Sequence, residues 1–224
     1  MAVSKKARRA TPAHSTDEPL PAQQRRSQAT TERLLQAAED ILREGGADAA
    51  TLRAIADRAG VSLAIVYRRF PDKDAVLRAV YTRFFERVVA ANARGLASQR
   101  LRRATLTHVA AALIAGIADG YRLHRSLLRA LVLYARSHPD TEFRRRAAAL
   151  NAGTYAEMRR ILQAHSSEIA HPEPEVAVPF AISAVASLLQ ERILFSDVPA
   201  RPALSHAELI GEATRMFLAY LRAA

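Results

Sequence analysis

Apolar residues recur at helical spacing along most of the chain, and no stretch alternates apolar and polar as a half-buried strand would. Leu34, Leu35, Ala38, Ile41 and Leu42 share one face and predict a first helix from about Gln28 to Glu44, ended by Gly45-Gly46. Next comes TLRAIADRAGVSLAIVYRRF, Thr51 to Phe70. It reads as two short helices crossing at a tight turn. Ala56 is small enough for a close approach, and Gly60 can take a positive φ without a Cβ penalty. Ile55, Val61 and Val66 supply a buried wedge. Together these features predict a helix-turn-helix. Pro71-Asp72 then starts a long helix that passes Phe84, Phe85, Val88 and Val89 toward Asn92. Gly95 to Arg103 is polar and marks a boundary. Beyond it, helical segments are expected near 105–119, 123–136, 140–165, 174–195 and 205–222, separated by His138-Pro139, His171-Pro172-Glu173-Pro174 and Val198 to Pro202. The expected fold is all-α: an N-terminal three-helix helix-turn-helix domain, a connecting helix and a helical body, about nine helices in all.

Position on the helices sorts the candidate DNA contacts. Thr51 and Ser62 stand where N-caps belong, and a hydroxyl there can cap, meet a DNA phosphate, or do both. A helical wheel over 62–70 puts Val66 and Phe70 inward and Ala64 and Arg68 opposite, flanked by Ile65 and Tyr67. Leu63, in the first turn, is counted with these four as facing a major groove. Ile65 on that face suits a thymine methyl, although a singly exposed Ile needs no explanation. Arg68 can bind guanine O6 and N7 or touch a phosphate, and Arg69, beside the buried side, can reach a phosphate.

The segment resembles the DNA-binding domain of the TetR/AcrR family of bacterial transcriptional regulators. The matching residues are Thr51, Ile55-Ala56, Ala59-Gly60-Val61-Ser62, Tyr67, Phe70, Lys73-Asp74 and Leu77, and the likeness covers about residues 28 to 88. Three positions depart from the pattern: Ala64-Ile65 stands for Gly-Thr, and Arg69 for His. The first change removes a hydroxyl from the DNA side; the second keeps a phosphate donor. The resemblance also implies that Lys73 grips a phosphate.

Charge adds a partner class. The 224 residues hold 33 Lys and Arg against 22 Asp and Glu, a net of +11, which suits a polyanion. Residues 1–26 carry +4, while residues 27–70 carry six charges of each sign. Specificity in the helix-turn-helix must therefore come from positioned side chains. Residues 1–27, with Pro12, Pro19 and Pro21 among polar and basic residues, read as a disordered tail that either adds DNA contacts or solubilises the chain. Without cysteine there is no disulfide, zinc finger or thiolate chemistry, and a cytoplasmic location fits. No apolar run follows the basic N-terminus, so it is not a secretory signal. The stretch from Val176 to Leu189, broken by Pro179, Ser183 and Ser187, falls short of the roughly 20 residues a membrane span needs. His108, His124, His138 and His165 lack the spacing of a helical metal site, so no metal or cofactor is expected.

The last two segments have little polar face. An all-round apolar helix is buried, either in its own core or against a second subunit. The resemblance implies the second, a four-helix dimer interface, here given to Val185, Leu188, Leu189, Leu209, Ala213 and Phe217. It also implies an effector cavity in the body, with Tyr121, His124, Tyr134, Tyr155, Met158 and Glu191 as candidate contacts; the tyrosines serve equally as core residues. Arg144-Arg145-Arg146 reads as a solvated face. The resulting domains are a tail (1–27), a DNA-binding domain (28–88, motif 51–70) and an effector-binding and dimerisation domain (104–224). The expected function is a homodimeric transcriptional repressor, bound to a palindromic double-stranded operator and released by a small molecule. An activator of the same fold and an architectural DNA binder are the alternatives. An enzyme would need a convergent catalytic set, and none is visible.

Overall fold

The computed structural model describes residues 22–96, 103–195 and 204–223, and among them every regular element is helical. The helices are α1 (Ala22–Ala49), α2 (Leu52–Ala59), α3 (Leu63–Tyr67), α4 (Lys73–Leu96), α5 (Leu106–Leu123), α6 (Arg125–Ser137), α7 (Thr141–Gln163), α8 (Pro174–Leu194) and α9 (His206–Leu221). The all-α class and the order of elements agree with the sequence pattern. The first 21 residues of the expected tail lie outside the described residues. Ala22 to Ser27, assigned above to that tail, instead form the opening turns of α1. The Thr30 and Thr31 hydroxyls donate to the Arg26 and Ser27 carbonyls at 2.9 and 3.2 Å, bonds that hold those turns. Gly46 interrupts α1 where expected, with φ 69° and ψ −167°.

The helix-turn-helix is built as its residues require. The Ala54 amide donates to Thr51 Oγ1 at 3.1 Å, so Thr51 caps α2. Ser62 precedes α3 in extended conformation, but its hydroxyl makes no cap bond. Gly60 ends α2 at φ 65°, ψ 40°, and Ile55, Ala56 and Val66 are buried at the crossing while Val61 is half-buried. A Cβ at Gly60 would meet nothing within 4 Å, so only backbone strain opposes a side chain. Gly60→Ala should therefore cost about 1 kcal/mol in chemical denaturation, from the left-handed backbone alone.

Helix α4 runs from the head into the body. Its Val76, Leu77, Val80, Tyr81, Phe84 and Phe85 are buried, packed against α1 and α7. Glu39 of α1 is fully buried at that junction. Three arginines converge on its carboxylate: Arg87 on both oxygens (3.0 and 2.8 Å), Arg83 at 3.2 Å and Arg43 at 3.1 Å. Arg58 and Glu44 pair bidentately and pin α2 to α1. In the body α5, α8 and α9 pack on one another.

Helix α8 corrects one expectation and exposes the limit of another. Its 21 residues are long and apolar enough to cross a membrane, beyond what the interrupted stretch suggested. Nine of them, including Val185, Leu189 and Leu194, are buried in the fold, and that packing accounts for the composition. The residues given to a dimer interface are mostly part of this same core. Val185, Leu189, Leu209, Ala213 and Phe217 are at most 8% exposed and face their own chain. Only Leu188 is half-buried. Val176, Phe180, Ser183, Ser187 and Met216 of α8 and α9 are turned outward, along with charged residues such as Glu175, Glu212 and Arg215.

Candidate nucleic-acid interface and effector cavity

The surface of α3 carries Ala64, Tyr67 and Arg68, all exposed, with Tyr67 at 55%. Thr51 and Ser62 are exposed beside them, and Leu63 is half-buried. Ile65 does not stand free on this face. It is half-buried in the wall of a cleft of about 480 Å³, formed by Arg26, Ser27, Thr30 and Arg33 of α1 with Val61, Ile65, Arg68 and Arg69. Arg26, Thr30 and Arg33 lie at i, i+4 and i+7, one stripe of α1. A helix starting at Gln28, as apolar periodicity suggests, includes Thr30 and Arg33 but leaves Arg26 off the stripe. Among the described residues Arg26, Arg33 and Arg68 have no ion-pair partner, while Glu32, Glu39, Asp40 and Glu44 are paired with other arginines. A head of balanced formal charge thus presents a local positive cleft.

Arg69 is engaged within the fold. Its Nε donates to Thr31 Oγ1 at 3.2 Å and an Nη to the Ser27 carbonyl at 3.4 Å, tying the end of α3 to the start of α1. The expected reach to a phosphate competes with these bonds. Lys73 is the first residue of α4 and half-buried; the turn is capped by Asp72, whose Oδ1 accepts from the Ala75 amide at 2.8 Å.

One residue on, Asp74 gathers a polar junction between head and body. Its Oδ1 accepts from the Tyr134 hydroxyl (2.5 Å) and His138 Nε2 (2.7 Å), and its Oδ2 from Arg78 Nε (2.6 Å). His138 Nδ1 accepts from the Asp140 amide at 3.1 Å, which places the ring proton on Nε2. Arg78 also reaches Asp140, whose carboxylate caps α7. Partial burial pushes the Asp74 carboxyl up, but the bonds from Tyr134, His138 and Arg78 outweigh it and hold the group down at about 2. A depressed carboxyl contributes stability above its unfolded value, near 4, and loses it as pH falls toward 2. The stability gap between wild type and Asp74→Asn should be widest at pH 5 to 7 and close progressively below pH 4, as thermal melts across that range would show. Because Asp74 is 40% exposed, the gap should be small.

The body holds a cavity of about 410 Å³ between α4, α5 and α7. Tyr121, His124, Tyr155 and Met158, four of the six candidate contacts, line it together. Tyr134 does not: its hydroxyl is spent on Asp74. Glu191 does not either. It sits on α8, which reaches the cavity through Ala186. The sequence pattern did not point to Phe84, Asn92, Thr154 or the pair Gly116 and Gly120 as cavity residues. The glycines were the readable signal, two helix-weakening residues one turn apart on α5 with a Cβ at either meeting nothing within 4 Å. Burial, helped by the nearby Arg43 and Arg87, lowers His124, and burial raises the Tyr121 and Tyr155 hydroxyls. All three are therefore neutral near pH 7.

Residues 34–80 match the family model described as bacterial regulatory proteins, tetR family. No curated protein sequence matches the chain. Solved structures do. One, from Mesorhizobium loti and ascribed to the TetR family of transcriptional regulators, superposes with a TM-score of 0.66 at 23% identity, covering 88% of this chain and 96% of that one. A tetR-family regulatory protein from Rhodococcus RHA1 gives 0.65 at 19%, covering 87% and 98%. The regulator FadR from Bacillus subtilis, in complex with stearoyl-CoA, gives 0.61 at 14%, covering 85% and 97%. At such identities the structures establish the fold, and the family model covers the DNA-binding head. Residues 34–80 thus carry the sequence of a tetR-family DNA-binding domain, and the chain as a whole has the fold of the TetR-family regulators it is similar to.

Proposed function

We propose that the protein acts in the cytoplasm as a homodimeric, non-enzymatic repressor that holds a palindromic operator and leaves it when a small molecule enters the body. The observation that carries this reading is the pairing of an exposed α3 face, Ala64, Tyr67 and Arg68, with the arginine-lined cleft beside it. The face suits base edges and the cleft suits the phosphate rail. Thr51, Ser62 and Lys73 extend the phosphate contacts on either side, and Arg69 positions α3 against α1. In this reading the DNA-binding domain covers 28–88, with 22–27 as its helical lead-in, and the effector-binding and dimerisation domain covers 104–224.

A single head binds weakly, so two are needed, with recognition helices about 34–36 Å apart on successive major-groove faces. The outward face of α8 and α9 is the surface for pairing. Phe180 is 58% exposed, Val176 60% and Met216 46%, and the small exposed Ser183 and Ser187, one and two turns on from Phe180, allow close helix approach. Phe180→Asp combined with Met216→Asp should leave a folded monomer by sedimentation and weaken operator binding at least about 100-fold, since each half-site is then held alone. A dimer that survives the double substitution counts against this face.

The cavity is the place for the effector. The FadR neighbour is in complex with stearoyl-CoA, which supports a small-molecule ligand for a regulator of this fold. Phe84, Phe85 and Val88 on α4 line the cavity, and the same helix starts at Lys73, a short loop after α3. Occupancy that shifts α4 alters the spacing of the two heads, while the operator fixes the spacing of the half-sites. Release then requires the ligand to bind the DNA-free state more tightly. Titrating candidate effectors against a protein–operator complex tests this: operator affinity must fall at saturation, and an unchanged affinity excludes that compound.

A further inference from the structure

The wall of the body cavity contains no Asp, Glu, Lys or Arg among the described residues. Its polar groups are Asn92, Tyr121, His124, Thr154 and Tyr155, and among the described residues none of these side chains forms a hydrogen bond to the protein. The cations whose charge reaches His124, Arg43 and Arg87, are bound to the buried Glu39 carboxylate. An ionised ligand would exchange its hydration for an apolar wall with no counter-charge, an unfavourable transfer that an uncharged ligand avoids. The volume sets the second constraint. At about 410 Å³ the cavity lies toward the small end of the roughly 300–1,000 Å³ range of small-molecule sites.

We infer that the cavity selects a compact, uncharged, mainly apolar molecule carrying one or two hydrogen-bonding groups, which Tyr121, His124, Asn92 and Tyr155 are placed to meet. The inference rests on the reading of this cavity as the effector site. Phe84 and Leu113 give it an apolar body, and Gly116 and Gly120 keep one wall open. His124 is neutral near pH 7 and so offers a hydrogen bond without a charge.

The test uses matched carboxamide, carboxylate and methylammonium forms of indane, naphthalene and biphenyl, about 11 to 15 non-hydrogen atoms each. Their binding to the full chain is measured by calorimetry at pH 7. Gly116→Leu and Gly120→Leu, each of which projects a side chain into open space, assign binding to the cavity; two variants guard against one failing to fold. The expected result is carboxamide binding at one site per chain, lost in the filled variants, with both charged forms at least tenfold weaker. Carboxylates or ammonium forms that bind as tightly as their amides, and are lost in the filled variants, would overturn the ligand class and leave the effector reading standing. Binding that is absent, or that survives in both filled variants, would overturn the ligand class together with the effector reading beneath it.

Discussion

Tyr67→Ala combined with Arg68→Ala should lower affinity for the protein's own operator by at least about 1,000-fold while leaving its melting temperature unchanged. Both side chains are exposed on α3 and neither supports the core, so the change falls on recognition alone. A side chain reading the groove contributes about 1–3 kcal/mol. Truncating two such side chains in each of two half-sites costs about 4 kcal/mol at the low end, which is the thousandfold. Affinity for nonspecific duplex should fall much less, because Arg26, Arg33 and Arg69 still line the phosphate-facing cleft. Arg26→Ala with Arg33→Ala should do the reverse, weakening specific and nonspecific binding alike and flattening the salt dependence. Fluorescence anisotropy with operator and scrambled duplex at several salt concentrations separates the two outcomes.

The largest effect on stability is expected at Glu39. Arg83→Ala with Arg87→Ala would leave a fully buried carboxylate with only Arg43, whose own side chain is 38% exposed. Stripping the partners from a buried charge costs about 3–5 kcal/mol. For a chain of this size that corresponds to a melting temperature lower by roughly 6–20 °C. Replacing the acid as well, as Glu39→Leu in the same background, removes the charge that needed compensation and should recover most of the loss. Recovery distinguishes an uncompensated charge from mere loss of arginine packing on Phe84, which Arg87 covers at 5.9 Å. Because the cluster joins α1 of the head to α4, the double variant should also loosen the attachment of head to body.

The parts readable in sequence are those governed by local rules. Ala56, Gly60 and Val66 state a helix crossing within eleven residues, and each does in the structure what its chemistry demands. Thr51 does so too. Ser62 shows the limit: the residue type suits a cap, but on a helix as short as α3 the hydroxyl is left outward. Arg69 departs from expectation for a different reason. Its partners, Ser27 and Thr31, are about 40 residues away, and one of them lies in a segment whose helicity no apolar periodicity announces. Surfaces that arise only on packing are harder still. Tyr134 and Tyr155 look alike in sequence, yet one is spent on Asp74 and the other faces a cavity. On α8, apolar nearly all round, no periodicity could divide the residues facing the core from those left for a partner. Leu189 proved internal and Phe180 external.

The central claim is that two copies of this chain read one defined DNA sequence. Selecting binding sites for the purified protein from random duplex DNA at near-physiological salt tests it most directly. One palindromic consensus is expected, with half-site centres about 10 base pairs apart or a multiple of that. Binding without enrichment of any consensus would contradict it.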